Sequence, residues 1–338
     1  AVGLELPGKV AVKVHSGEPG NQNFLTSEFW QPMVETVHGT IVECNTAYPG
    51  GRNTTDAHRR TMIKHGWSKL FDVDILDAEG PDLELPIPNG KRIQKNLVGK
   101  DIKNYDSMLV LSHFKGHPMG GFGGAIKNIS IGIASSAGKA WIHSAGKTKN
   151  AAEMWSDLPA RDDFLESMAE AAKAIAAHCG ERILYISVMN NLSVDCDCDA
   201  HPEPPRMGDI GILASLDPVA LDKACVDLVY ASPDPGKSHL IERMESRHGI
   251  HTLEHAEAIG IGLQSFCIPG SVAEDRKVGL GHGNLGAMLL RDETKCFAFL
   301  AGHESFAAAE GAIGIVRNAN KARKEPLRVI LNGLGKDA

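Results

Sequence analysis

Two segments of this 338-residue chain carry residue types at spacings that can do chemistry. The first is Asp195-Cys196-Asp197-Cys198-Asp199. In an extended segment side chains alternate, so Cys196 and Cys198 fall on one face and the three aspartates on the other. Two thiolates on one face can ligate one metal ion or one cluster. Three adjacent carboxylates argue against plain apolar burial and call for a cation to offset their charge. The aspartates resemble the start of a calcium loop, but Ala200 stands where the loop needs glycine and Arg206 where it needs glutamate, which excludes calcium by that motif. Further ligands are then required. Cys44 follows an apolar run, and Cys225 lies in a helix-forming segment where a core thiol is the plainer reading. Cys44, Cys196, Cys198 and Cys225 together make a chemically reasonable four-thiolate set for an iron–sulfur cluster of the 4Fe–4S type. Zinc is the alternative metal for such a set. Cys179, Cys267 and Cys296 read as structural thiols.

The second segment runs from His113 to Asn128. It contains His113, Lys115, His117 and Lys127, and five glycines (Gly116, Gly120, Gly121, Gly123, Gly124) within nine positions. Such a loop lets backbone amides approach an anion closely. Gly120, Gly121, Gly123, Gly124 and Asn128, with Arg52 from the GGRNTTDAH segment, are the expected anion contacts. His113, Lys115, His117 and Lys127 are the expected proton-transfer and charge-stabilising groups. The segment contains no phosphate-loop match. The bland alternative is a flexible glycine loop with solvated histidines and lysines. Lys13, His15, Glu18, Asn21, His58, His143 and Lys147 are single polar residues near the same region, each more readily a surface or capping group. A formal G-x-G-x-x-G at Gly281–Gly286 lacks a clear preceding strand, so nicotinamide or flavin binding there is disfavoured.

The elements that must position these groups alternate in type. Lys9–His15, Thr40–Cys44, Val73–Leu76, Ser107–Ser112, Arg182–Met189 and Ile210–Ala214 read as strands. Thr26–Thr36, Thr54–His65, Asp162–His178 and Asp217–Tyr230 read as helices, with Thr26 and Asp217 as caps. This alternation predicts an α/β fold with a largely parallel sheet flanked by helices. Sites in such sheets lie beyond the C-terminal strand ends, where His15, Cys44 and His113 fall. Further on, Phe297–Gly302 reads as apolar, Glu304–Lys324 as helical and Leu327–Leu331 as a strand, forming a smaller C-terminal α/β segment.

Charge and composition narrow the classes. Net charge is −7, which argues against a nucleic-acid partner. No apolar run reaches the ~20 residues needed to cross a bilayer. The odd total of 7 cysteines, with no secretion signal at the start, points to reduced thiols in a cytoplasm. All 4 Trp and all 4 Tyr lie before residue 231, and from Leu253 onward ten acidic residues balance ten basic ones. The chain therefore changes character near residue 250, and two domains, 1–255 and 256–338, are expected.

KVAVKVHSGEPGN, VECNTAYPGGRNTTDAH, LSHFKGHPMGGFGGAIKNISIGIASSAGK and ILASLDPVALDKACVDLVY resemble the domain-of-unknown-function-362 family over about residues 1–255. That resemblance implies an iron–sulfur-centre protein. The family's usual ferredoxin insert is missing, so the Cys196–Cys198 region is the cluster site it implies. GGFGGAIKNISIGIAS is similar, more faintly, to a segment of the lactate-racemase family, which implies nickel and a metal-dependent isomerase as the alternative. From about residue 256 the chain resembles an internal part of the GGGtGRT protein family, without its name-giving motif. The expected function is an anaerobic iron–sulfur or metal-binding redox protein that binds an anionic small molecule and works with a redox partner. A non-catalytic homo-oligomeric assembly protein is the third reading.

Overall fold

The computed structural model describes residues 6–265 and two short paired strands, Gly286–Ala287 and Phe299–Leu300. The Gly281–Gly286 motif up to Leu285, Cys267, Cys296, the expected tail helix and the last expected strand lie outside the described residues.

A six-stranded sheet organises the chain. Its strands are β1 (Val10–Lys13), β2 (Thr40–Glu43), β3 (Val73–Ile75), β6 (Ser107–His113), β9 (Ile183–Met189) and β10 (Gly211–Ser215). Their order across the sheet is β10-β9-β6-β1-β2-β3. Every pairing is parallel except β9 with β10. The mixed α/β fold read from the sequence is therefore the observed one.

The strand residues explain why this sheet is covered on both faces. In β6, Met108 and Val110 enter one core while Leu109 and Leu111 enter the other. In β9, Ile183 and Tyr185 alternate with Leu184 and Ile186 in the same way. Strands buried on both faces read as continuous apolar runs, as these do. One face is covered by α1 (Ser27–Val37), α2 (Thr55–Lys64) and α3 (Trp67–Leu70), which bury Trp30, Met62 and Trp67. The opposite face carries α4 (Ala125–Ser130), α5 (Ser136–His143), α6 (Arg161–Cys179), α7 (Pro218–Ala231) and α9 (His251–Ala258), with α8 (Lys237–Ser246) beside them.

Local signals set the helix starts. Thr26 caps α1, Thr54 caps α2, and the Asp217 carboxylate accepts from Val219 and Ala220 at the start of α7. Pro218 at the first turn of α7 lacks only an N–H that has no helical partner there.

Two antiparallel hairpins lie outside the sheet. One pairs β4 (Leu83–Pro86) with β5 (Lys95–Val98), in a stretch whose prolines read as a loop. The other pairs β7 (Lys115–His117) with β8 (Gly121–Gly123) and replaces the flexible glycine loop. Gly121 turns it with a φ of 79°, a region costly for other residues.

Trp67 has no exposed surface and its indole N–H donates to the Ser16 carbonyl. Replacing it with alanine is expected to cost about 3–5 kcal/mol, read as a lowered urea midpoint.

Candidate metal and anion site

β1 and β6 are neighbours at the point where strand order reverses, with β2 and β3 on one side and β9 and β10 on the other. Open α/β sheets form a crevice at such a switch point. Here β1 delivers Lys13 and His15, β2 delivers Glu43 and Cys44, and β6 delivers His113 and, directly after, Lys115. A cavity of about 70 Å³ opens beside them. Five basic side chains line it: Lys13, Arg52, Lys115, Lys127 and Lys139. His15, His113, His117 and His143 share its wall, and Glu43 is the acid among the lining residues.

The Cys196–Cys198 segment is a turn, which corrects the extended reading. The Asp199 amide donates to the Cys196 carbonyl at 2.9 Å. That closure folds the two cysteines toward each other instead of spacing them along a strand. One ligand atom from each of His117, Cys196 and Cys198 lies within 4.8 Å of the other two. The Cys198 thiol donates to Cys196, and Lys127 Nζ stands 3.6 Å from its sulfur. These two contacts, with a further hydrogen bond from His15, outweigh burial and hold the Cys196 pKa well below that of an ordinary thiol. Cys198, the donor of the pair, is pushed the other way. Burial alone would lower Lys127, and the facing Cys196 sulfur reverses that and raises it.

The three aspartates have separate duties and do not form one face. Asp197 is buried; its Oδ1 lies 2.9 Å from His113 Nδ1 and its Oδ2 2.5 Å from Lys115 Nζ. Burial opposes its charge, but His113 and Lys115 win and keep it an anion. Asp195 pairs with Arg243 at 3.3 Å. Asp199 accepts from the His201 amide.

The hairpin is welded to this turn. The Gly116 amide donates to the Ser193 carbonyl, and a Cβ on Gly116 would lie 2.0 Å from the Val194 oxygen. His117 Nδ1 accepts from the amides of Gly120 and Met119, at 2.8 and 3.3 Å, which leaves Nε2 as the ring atom available to a ligand. Burial, then Lys127, keeps His117 neutral.

The expected glycine-amide cradle is not free to hold an anion. The Gly120 amide serves His117, and the Ala125 and Ile126 amides following Gly124 are taken by the Asp222 carboxylate at 2.7 and 2.9 Å. Gly123 and Gly124 line the cavity; Gly120 and Gly121 are not among its lining residues. Asn128 lines it too, but accepts from Lys13 and donates to Leu111 and Ser112. Arg52 is engaged by Glu18 at 2.9 Å, Tyr48 at 3.2 Å and Glu43 at 3.5 Å. The basic groups at the cavity wall are therefore side chains.

Of the four expected cysteine ligands, the structure gathers Cys196 and Cys198. Cys44 lines the cavity, but its thiol donates to the Ile133 carbonyl at 3.1 Å, and burial pushes its pKa upward. Cys225 is buried on α7, outside the gathered group, and burial raises it as well. Lys147 pairs with Asp157 away from the cavity. Sequence reasoning missed Glu43 and Lys139. Glu43 gathers His58 at 2.9 Å and Lys13 at 3.6 Å, together with Ser16 and Arg52. Lys139 contacts only carbonyls at hydrogen-bond distance, those of Ala134 and Cys44. The signal for each was a charged residue inside an otherwise apolar element.

With the geometry described, the chain can be compared with known proteins. The family model described as Domain of unknown function (DUF362) matches residues 10–227. The chain belongs to that family. A second model, described as GGGtGRT protein, matches residues 211–338. The DUF362 and GGGtGRT matches thus follow one another in the order the sequence resemblance implied, and they share residues 211–227. Among solved structures, this DUF362 chain is similar to the lactate racemase apoprotein from Thermoanaerobacterium thermosaccharolyticum, at 17% identity and a TM-score of 0.35, over 54% of this chain and 43% of that one. It is also similar to a crystal structure of a Thermotoga maritima protein, at 11% identity and a TM-score of 0.35, over 78% of this chain and 58% of that one. The chain therefore spans about half the length of these structures. No curated protein matches it.

Two predictions follow from the buried charges. Asp197→Asn leaves Lys115 without its buried counter-ion, and a loss of about 3–5 kcal/mol in a urea titration is expected. Burial holds His15 and His143 near pKa 4, against 6.5 when free. The unfolded chain therefore binds more protons between pH 4 and 6.5, and stability falls as pH drops through that window. Asp222, raised to about 7 from 3.8 by burial, opposes this trend with one proton. His143→Gln is expected to flatten the pH dependence of the urea midpoint.

Proposed function

We propose that this chain holds a single metal ion on Cys196, Cys198 and His117 and binds a small anion in the adjoining cavity. One observation carries the reading. Two cysteines and a histidine converge within 4.8 Å, and two of the three, Cys198 and His117, also line a cavity with five basic side chains. Two thiolates and an imidazole suit zinc or nickel with one position left open. A four-thiolate iron–sulfur cluster would need Cys44 and Cys225 as well, and both are held as protonated thiols away from the pair. A metal there would supply Lewis-acid polarisation of the bound anion.

The chain's own residues would do the rest. Lys127 offsets the charge of the thiolates. Lys13 and Lys139 lie in the cavity wall, with Lys13 lowered by burial to about pKa 8. Burial holds both Lys13 and Lys139 below the usual lysine range, so a carboxylate- or phosphate-bearing ligand beside them would favour their charged forms. His143 donates Nδ1–H to the Lys139 carbonyl at 2.7 Å, which leaves Nε2 as a proton acceptor.

The test is metal and acid-labile sulfide analysis of protein purified without oxygen. Wild type is expected to carry one more equivalent of zinc or nickel than Cys196→Ser/Cys198→Ser, without sulfide, and His117→Ala to hold it less tightly. Equal metal content in wild type and the double variant overturns the site. Iron with sulfide, absorbing near 400 nm, overturns the single-ion reading in favour of a cluster.

A further inference from the structure

A second group of metal-capable side chains lies away from the cavity. Asp162 is in the first turn of α6, His248 in the turn between α8 and α9, and His251 at the first position of α9. One ligand atom from each lies within 4.8 Å of the other two. His248 Nδ1 is 2.8 Å from Asp162 Oδ1, and the His248 and His251 rings stack with centroids 5.1 Å apart and planes 13° from parallel.

We infer that Asp162, His248 and His251 form a second, surface site for a borderline divalent ion such as zinc, nickel or cobalt. Two imidazoles and a carboxylate are a donor set these ions accept. Metal–nitrogen bonds of about 2.0–2.1 Å place tetrahedral ligand atoms roughly 3.3 Å apart. Closing from 4.8 Å therefore takes only side-chain adjustment, and Asp162 and His248 are half-exposed and free to make it.

The surroundings fit a metal ligand. His251 has Nδ1 3.3 Å from Glu254 and Nε2 3.3 Å from Glu166, so either nitrogen can bind while the other donates to a carboxylate. Such carboxylate–histidine–metal chains are the usual support of a bound ion. Five acids, Asp162, Asp163, Glu166, Glu170 and Glu254, stand here against four basic residues, Lys91, Arg92, Arg161 and Arg247. His248 also holds a φ of 53°, a left-handed conformation that costs energy in a non-glycine residue and turns it back toward α6.

An ion here would tie the start of α6 to the α8–α9 turn. That turn backs the glycine hairpin. Arg247 Nε donates to the Pro118 carbonyl at 2.5 Å, and a Cβ on Gly249 would lie 2.9 Å from the Gly120 oxygen. The surface ion would therefore brace the segment whose amides fix His117, without touching the cavity.

The experiment uses untagged full-length Cys196→Ser/Cys198→Ser protein, in which both cavity-side thiols are gone, titrated with cobalt(II) and followed by its visible absorption. One equivalent is expected to bind, with a raised thermal midpoint. His248→Gln/His251→Gln in that background is expected to bind at least about tenfold more weakly, and Asp162→Asn to weaken binding while the fold, read by circular dichroism, is kept. Absence of binding in the parent overturns the site, as does equal binding in the parent and the histidine variant; either result leaves only an ion pair between Asp162 and His248. Neither bears on the Cys196–Cys198 centre, which is judged by the wild-type comparison.

Discussion

A carboxylate with almost no exposure stands between two cysteines, and the candidate site depends on how it is held. Asp197 cannot stay charged in that position unless polar partners meet it, and His113 and Lys115 do so from the end of β6 and the start of β7. The pairing fixes the turn in register. With Asp197 directed at β6, its two neighbours are left to face Lys127 and His117. A buried pair of this kind adds little net stability over an apolar substitute, but breaking it is costly. It acts as a register pin: the thiol pair can take up one position against the sheet and no other.

The same logic recurs at Glu43. It ends β2 among Lys13, Arg52, His58 and Ser16, and it links the first two strands below the cavity. Basic side chains crowd round it, and burial holds two of them, Lys13 and Lys139, below the usual lysine range. The fold and the proposed ligand are in this sense one electrostatic problem: the sheet brings the basic groups together, and the proposed anion would pair with them.

Much of this was legible in the residue order, because the strands are buried on both faces and read as unbroken apolar runs. Ser107–Ser112 and Arg182–Met189 could hardly be anything else. Thr26 and Asp217 announced their helices by capping chemistry. The region of the site was legible too, since a parallel sheet delivers its loops to one edge. The local shapes were not. Alternation along Cys196–Cys198 assumes extended backbone, whereas the Asp199 amide closes a turn that no short pattern announces. The glycines of residues 116–124 signal freedom of the backbone, but the hairpin they adopt is selected by partners distant in sequence, Ser193 and Asp222. Glu43 and Lys139 went unnoticed because a single charge in an apolar element looks like a surface position until the neighbouring element arrives.

The position of β10 has a consequence for how this chain is assembled. It is one of the two edge strands of the sheet, and among the described residues its partner within that sheet is β9, which it meets antiparallel. The DUF362 and GGGtGRT matches overlap over 211–227, which is β10 and most of α7. An interior strand has two neighbours to satisfy, so exchanging one disrupts two ladders at once. In this chain α7 also reaches back toward the site, where Asp222 takes the Ala125 and Ile126 amides. The ladders from β9 through β3 precede the shared stretch and lie within the DUF362 match alone.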